Sequence, residues 1–266
     1  MFRRKQTQTQ RTATVAAQPA IIAYRNPGGN VWGSAIDWLN DTHLLIAGAT
    51  GCGKSTTLHS ILWSALSASP AKRQFIMVDM KRGLELSRYA NLPHTIAFAR
   101  TAPEASAALD DTVKIMESRL DSMFRRGLTM YDGANLYLVV DELAYLLTDC
   151  PGALEKLVSI ARLGRAARVH LILCTQSPNR GRKGEGGVPA VLAQNMTCRI
   201  GLRCSTPIES RQIINRTGCE CLPRHGVGIV YDGLDWYKTA MLMIPDEEQN
   251  KRLAWWSDPA NYAITA

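Results

Sequence analysis

The sequence predicts an α/β protein in which helices flank a doubly wound, mostly parallel central sheet, with a β-hairpin near the C-terminal end. Two observations predict the sheet. Compact apolar runs alternate with longer amphipathic segments, and polar or turn residues flank each run. Such runs are typical of strands that are buried on both faces of a parallel sheet. The four runs span residues 44–47, 75–78, 136–140 and 169–174.

A strong helix is predicted between the second and third runs. Thr101 is a suitable N-cap, Glu104 stands three residues later at capping-box spacing, and Gly127 ends the segment. The apolar residues between them form one continuous helical stripe. A second helix, at about residues 154–163, precedes the fourth run. Strands that alternate with helices imply right-handed crossovers and a layered α/β fold.

The predicted hairpin lies close to the end of the sequence. Its two strands are residues 227–231 and 236–243, and a turn at Asp232-Gly233 connects them. Aspartate followed by glycine between two apolar runs is the usual signal for a tight hairpin turn.

Composition limits the class of protein. Of 266 residues, 46% are hydrophobic and 20% charged, which excludes a wholly disordered, collagenous or coiled-coil chain. The formal net charge of +8 favours a polyanionic partner. No apolar stretch reaches the ~20 residues of a membrane-spanning helix, so direct membrane insertion is not expected. The seven cysteines are odd in number and follow no secretory signal, which predicts reduced thiols in a cytoplasmic protein.

The most informative motif follows the first apolar run. It matches G-x-x-x-x-G-K-[ST] and leads into a predicted helix at residues 57–66. Its glycines let backbone N–H groups surround a phosphate, and the helix N-terminus adds a positive end. Lys54 is expected to reach the β- and γ-phosphates of ATP, and Ser55 to bind Mg²⁺. A chance glycine-rich turn is the alternative. The predicted ATP-binding residues are Gly48, Ala49, Thr50, Gly51, Cys52, Gly53, Lys54, Ser55 and Thr56.

An acidic pair ends the third run. Asp141 is expected to hold Mg²⁺ through water, and Glu142 to orient and deprotonate the water that attacks the nucleotide. A helix N-cap is the structural alternative for Asp141, and both roles are compatible.

Polar residues also flank the fourth run. Gln176 follows it and is expected to stand beside Glu142, where it would sense the γ-phosphate. Three arginines, at positions 162, 165 and 168, precede it. They form either a solvated helix face or an arginine finger that reaches the nucleotide of a neighbouring subunit.

These motifs, in this order, resemble the motor domain of the FtsK/SpoIIIE family of DNA translocases. The resemblance covers roughly residues 40–232 and includes Gly164-Arg165-Ala166 before His170. It implies a RecA-like P-loop NTPase fold and a homo-oligomeric ring, commonly hexameric, that threads double-stranded DNA while it hydrolyses ATP. It also implies that Arg165 is the finger that acts in trans, with Arg162 and Arg211 as second choices. Further matching segments lie at residues 75–81, 92–94, 116–119, 174–178 and 209–211.

The sequence departs from the family after Gln176. Chromosome-segregating members continue with Arg-Pro, whereas this chain has Ser177-Pro178, followed by a glycine-rich insertion. The cations of this insertion are expected to contact the DNA backbone without reading bases, and a solvated loop is the alternative. They are Arg180, Arg182 and Lys183.

The resulting hypothesis is an ATP-dependent translocase of double-stranded DNA in conjugative, plasmid or phage DNA transfer or in partitioning. The expected domains are a basic disordered tail at residues 1–20, a RecA-like ATPase motor at 21–246 and a C-terminal extension at 247–266. Other proteins would recruit or anchor the motor. One alternative is a related ATPase that drives protein secretion, and another is an ATP-gated DNA-binding scaffold without turnover.

Overall fold

The computed structural model describes residues 24–25, 31–32, 43–176, 187–241 and 243–262. The basic tail at residues 1–20 and the cationic insertion with Arg180, Arg182 and Lys183 lie outside these residues. So does Ser177-Pro178.

The described chain is built around one mixed sheet. Eight strands are hydrogen-bonded in the order β10-β9-β8-β3-β7-β6-β4-β5, and the first two pair antiparallel while β8 to β5 run parallel. The predicted mostly parallel α/β fold is therefore confirmed. The strands of this sheet are β3 (Leu44–Ala47), β4 (Arg73–Val78), β5 (Thr95–Ala99), β6 (Asn135–Val140), β7 (Val169–Thr175), β8 (Cys198–Gly201), β9 (Val227–Tyr231) and β10 (Trp236–Ala240). A separate antiparallel pair consists of β1 (Tyr24–Arg25) and β2 (Val31–Trp32).

Helices cover both faces of the sheet. The longest, α2, has the predicted capping box between Thr101 and Glu104, and it ends at Gly127, whose φ of 65° requires the left-handed region. The helices are α1 (Lys54–Ala65), α2 (Ala102–Arg126), α3 (Leu143–Asp149), α4 (Ala153–Leu163), α5 (Ala190–Ala193), α6 (Pro207–Ile214), α7 (Asp246–Ser257) and α8 (Pro259–Tyr262). Helix α1 begins three residues before the predicted residue 57, so that Lys54 and Ser55 lie in its first turn.

The central strands are buried on both faces, as their apolar runs predict. Alternate residues of β3 point to opposite sides, so Leu44 and Ile46 pack with α1 and Leu45 packs with α2 and α4. Every residue of β3, β6 and β7 is buried. These strands therefore form a rigid centre from which the following loops start.

Helix α7 packs against α1. The Arg252 guanidinium lies 3.5 Å from the centre of the Trp63 ring and donates a hydrogen bond to Trp63 O. Trp256 is buried, and its indole N–H donates to Leu66 O at 2.8 Å. Residues that the sequence analysis sets apart as an extension thus cover the outer side of the helix that carries Lys54.

One boundary of the predicted hairpin is wrong. The second strand ends at Ala240 rather than residue 243. Its pairing stops where Met241 N donates to Gly226 O, because Gly226 at φ 75° turns the partner strand away. Residues 232–235 connect the strands, as the predicted bounds imply, and the Asp232 carboxylate closes this loop by accepting hydrogen bonds from the N–H groups of Leu234 and Asp235.

Among the described residues, no helix combines the length and the apolar character that crossing a bilayer would require.

Two buried histidines link stability to pH. Burial lowers the pKa of His43 and of His94 from 6.5 to about 4. Leu171 N donates to His43 Nδ1 at 3.0 Å, a bond that a protonated Nδ1 cannot accept. Both imidazoles are therefore neutral in the folded protein at neutral pH, whereas the unfolded chain takes up protons below its ordinary histidine pKa.

We expect the free energy of unfolding to fall as the pH falls from about 6.5 towards about 4, because the unfolded chain then binds more protons than the native one. Urea unfolding at a series of pH values measures this dependence. His94→Gln retains a donor for Ala68 O and should reduce the slope. A slope that is the same in this variant and in the parent would contradict the assignment.

Candidate active site

The predicted functional groups meet at one edge of the sheet. Strands β3, β7 and β6 are parallel neighbours, and the phosphate loop, Gln176 and the acidic pair follow their carboxyl ends. Ala47 pairs with Thr175 in the register of β3 and β7, and Val140 pairs with Leu173 in that of β6 and β7. Ligands of open α/β sheets bind at this edge.

The phosphate loop, residues 48–55, depends on glycine at three positions. Gly51 and Gly53 have φ values of 72° and 99°, which other residues rarely adopt. A Cβ on Gly48 would lie 2.7 Å from both Cys52 Sγ and Leu202 Cβ, so no side chain fits there. Ala49 N donates to Arg203 O at 2.8 Å, which fastens the loop to the end of β8.

The start of α1 offers an anion site. Gly53 is its N-cap, no side chain caps the helix, and its first turn contains no acidic residue. The N-terminal N–H groups of this 12-residue helix and its dipole therefore have no anionic partner in the first turn. Lys54 is buried, with 6% of its surface exposed, while Thr50 and Gly51 at the top of the loop are exposed. Such a cradle is suited to the phosphates of a nucleotide.

The acidic pair is buried and forms ion pairs with Lys81. Lys81 Nζ lies 3.0 Å from Asp141 Oδ2 and 3.8 Å from Glu142 Oε2. Burial raises the pKa of the Asp141 carboxyl, and the Lys81 ammonium opposes that rise. Asp141 Oδ1 is also buried, but it accepts no hydrogen bond from the described residues. A buried carboxylate oxygen without a donor fits a Mg²⁺ ion or a water bound to it.

Sequence reasoning did not give Lys81 a role, and a folded loop explains its position. The Asp79 carboxylate accepts hydrogen bonds from the N–H groups of Lys81, Glu85 and Leu86 at 2.9–3.0 Å. These bonds organise residues 79–86 directly after β4, which is the neighbour of β6. One signal in the sequence could have pointed to Lys81. Polar residues follow the second apolar run, just as they follow the third and the fourth runs.

Gln176 connects the phosphate loop to the acidic pair. Its backbone N–H donates to Glu142 Oε1 at 3.0 Å, and its side-chain Oε1 accepts from Thr50 Oγ1 at 2.8 Å. The structure therefore places Gln176 beside Glu142, as the sequence analysis expects. The same residue contacts both the loop that would hold phosphate and the carboxylate that would hold water.

The candidate finger arginines lie elsewhere. Arg162 and Arg165 are exposed near the end of α4, just before the first residue of β7. These arginines therefore lie at the amino-terminal ends of the parallel strands, the edge of the sheet opposite to the candidate site. The seven residues of β7 separate that edge from Gln176 by about 20 Å. The Arg165 charge accordingly acts on His43, which precedes β3 at the same edge. Arg211 is exposed on α6.

Comparison with known proteins gives the family. Residues 1–135, just over half of the chain, match the FtsK/SpoIIIE family. The chain belongs to this family.

Two curated relatives of the chain are DNA translocases. The DNA translocase FtsK of Tropheryma whipplei is 35% identical over 210 residues, which is 70% of this chain and 28% of the relative. The DNA translocase FtsK of Oceanobacillus iheyensis is 34% identical over 206 residues, 69% of this chain and 26% of the relative. The chain thus spans little more than a quarter of the length of these relatives.

Solved structures support the fold of this family member. The pCW3 conjugation coupling protein TcpA, in a monomer form with ATPγS, matches with a TM-score of 0.74 at 22% identity, over 89% of this chain and 70% of TcpA. The cytoplasmic domain of the type VII secretion ATPase EccC of Thermomonospora curvata matches with a TM-score of 0.65 at 24% identity, over 85% of this chain and 29% of EccC. Both likenesses show a shared ATPase fold.

We expect Lys81→Met to lower the free energy of unfolding by about 1–3 kcal/mol, because it removes the cation that pairs with the buried Asp141 carboxylate. Urea unfolding at neutral pH without nucleotide or metal measures this loss. In an Asp141→Asn background the same substitution should cost clearly less. Equal losses in the two backgrounds would show that Lys81 and Asp141 are not coupled.

Proposed function

We propose that this chain is an ATP-driven motor that translocates double-stranded DNA as part of a homo-oligomeric ring, which we expect to be a hexamer. The observation that carries the proposal is the convergence of the phosphate loop, the acidic pair and Gln176 on three neighbouring strand ends. Membership of the FtsK/SpoIIIE family supports the ATPase, and the DNA translocases among its relatives support the cargo.

The phosphate loop binds the ATP polyphosphate. Backbone N–H groups of residues 50, 51 and 53 and the N-terminus of α1 surround the phosphates, and Lys54 contacts the β- and γ-phosphates. Ser55 and Asp141 are the residues that would hold Mg²⁺. When bound there, Mg²⁺ would supply positive charge that neutralises the phosphates.

Glu142 is the proposed base. The Gln176 backbone N–H holds one oxygen of its carboxylate at 3.0 Å, and Lys81 lies 3.8 Å from the other. The fixed carboxylate orients a water and accepts its proton as the water oxygen attacks the γ-phosphorus, while the bond from the γ-phosphorus to the β–γ bridging oxygen breaks and ADP leaves. Gln176 keeps its side-chain amide N–H groups for the γ-phosphate, because its Oε1 accepts from Thr50. Release of the γ-phosphate would then remove the hydrogen-bond acceptor of the Gln176 side-chain amide.

The position of the arginines is the argument for an assembly. Arg165 cannot reach the phosphates of its own chain, because about 20 Å of sheet separates the two edges. In a ring, the edge that carries Arg165 would face the nucleotide of the next subunit, where a guanidinium stabilises the charge of the transition state. Each subunit would then complete the site of its neighbour.

The cargo is the second part of the proposal. The net charge of +8 suits a polyanion, and the cations at positions 180, 182 and 183 follow closely after Gln176 in the sequence. We place the motor in the cytoplasm, in the transfer or partitioning of a plasmid, conjugative element or phage genome, where further proteins recruit it. The structural likeness to EccC makes protein secretion the alternative.

We expect purified protein to release phosphate from ATP, and linear duplex DNA to raise that rate at least several-fold. The stimulation should fall steeply as salt is raised, because the DNA contacts are electrostatic. Lys54→Ala should abolish turnover, and Glu142→Gln should reduce it by about 10²–10⁴-fold while ATP still binds. Turnover that duplex DNA leaves unchanged at every salt concentration would favour the secretion alternative and remove DNA as the cargo.

Mixing two inactive variants tests Arg165. Arg165→Ala and Lys54→Ala should each lack activity, whereas a mixture should recover part of it. In the mixture, a subunit with intact Lys54 can receive Arg165 from a Lys54→Ala neighbour. Phosphate release at a fixed total protein concentration measures the recovery, and Arg162→Ala and Arg211→Ala receive the same treatment. Recovery with Arg162→Ala or Arg211→Ala, but not with Arg165→Ala, would show that Arg162 or Arg211, and not Arg165, is the finger that acts in trans.

A further inference from the structure

The segment at residues 222–226 lies beside the phosphate loop. Strand β9 is antiparallel to β8, and β8 is parallel to β3, so the start of β9 and the end of β3 lie at the same edge of the sheet. Residues 222–226 lead into β9 at that edge. They approach the loop from the side opposite to β7, which carries Gln176.

Arg224 in this segment reaches the top of the loop. A Cβ on Gly51 would lie 3.8 Å from Arg224 Nη2, so the guanidinium is in the immediate surroundings of the loop backbone. The Arg224 side chain is exposed. In the described part of the chain, no carboxylate forms an ion pair with it.

Hydrogen bonds tie residue 222, two residues before Arg224, to the phosphate loop. Ala49 N in the phosphate loop donates to Arg203 O at 2.8 Å, and the Arg203 guanidinium donates to Leu222 O. Leu222 is buried, with 1% of its surface exposed, and its N–H donates to Cys219 O at 3.2 Å. Hydrogen bonds thus connect the phosphate loop to the residues after β8, and these residues to residue 222. Residue 222 lies two positions before Arg224.

We propose that Arg224 binds the phosphates of the nucleotide held by its own chain. This inference rests on the proposed ATP-binding function of the loop. A guanidinium without a carboxylate partner, held beside a phosphate cradle, gains its counter-charge when a polyphosphate binds. Because Arg224 approaches from the side opposite to Glu142 and Gln176, its contribution is to nucleotide affinity rather than to the hydrolytic step.

Calorimetric titration of the full chain with ATPγS and with ADP, each with Mg²⁺, tests the inference. Arg224→Ala should raise the Kd of both nucleotides at least fivefold, and Arg224→Lys should fall between this variant and the parent. Lys238→Ala is the matched control, since it removes one exposed cation from β10, and it should remain within twofold of the parent. The kcat of Arg224→Ala at saturating ATP should stay within threefold of the parent value.

A mixing experiment separates action within the chain from action on a neighbour. In a mixture of Arg224→Ala with Lys54→Ala, every site with an intact Lys54 still lacks its own Arg224. The KM for ATP of the mixture should therefore remain that of Arg224→Ala. A return to the parent KM would show that Arg224 serves the neighbouring subunit and would overturn the inference.

Failure of the inference is distinguishable from failure of the proposed function. Arg224→Ala with a Kd within twofold of the parent for both nucleotides overturns the role of Arg224 alone. A parent protein that binds and hydrolyses ATP without a response to duplex DNA removes translocation, but the comparison of Kd values still decides the role of Arg224. A parent protein that binds neither nucleotide overturns both.

Discussion

The candidate site depends on the parallel pairing of β3, β7 and β6. Their burial on both faces fixes the register, because a shift of one residue would turn apolar side chains to the wrong helical layer. Once the register is fixed, three chain segments that are distant in sequence end side by side. The chemistry then needs only a glycine-rich loop after one strand, two carboxylates after another and a glutamine after the third.

The sequence predicts the centre of the sheet better than its edges. The four apolar runs correspond to β3, β4, β6 and β7, each of which is fully or mostly buried. Strand β5 lies at the sheet edge and is partly exposed, and the sequence analysis does not predict it, although its residues 96–99 are all apolar. Strand β8 contains the buried Arg199, whose guanidinium donates to the carbonyls of Met196, Ala193 and Ile213. A charged residue within a short apolar run hides a buried strand from sequence reasoning, because the carbonyl groups that accept its hydrogen bonds are brought to it only by the tertiary fold.

In the candidate site, too, some residues can be recognised from the sequence and others only from the fold. Motifs locate the loop, Asp141, Glu142 and Gln176, because their chemistry requires fixed spacing next to a strand. Lys81 and Arg224 follow no such spacing, and folding alone brings them to the carboxylates and to Gly51. The arginine finger is a different case, because a residue that serves a neighbouring subunit leaves no contact within its own chain. Its assignment stays a prediction.

Helix α7 has a consequence for biosynthesis. The outer side of α1 is completed by Arg252 and Trp256, which are about 200 positions downstream of the lysine that begins α1. While a nascent chain is still emerging from the ribosome, that helix lacks its final packing partner. The candidate phosphate site at the start of α1 is therefore completed late, after residue 256 has left the exit tunnel.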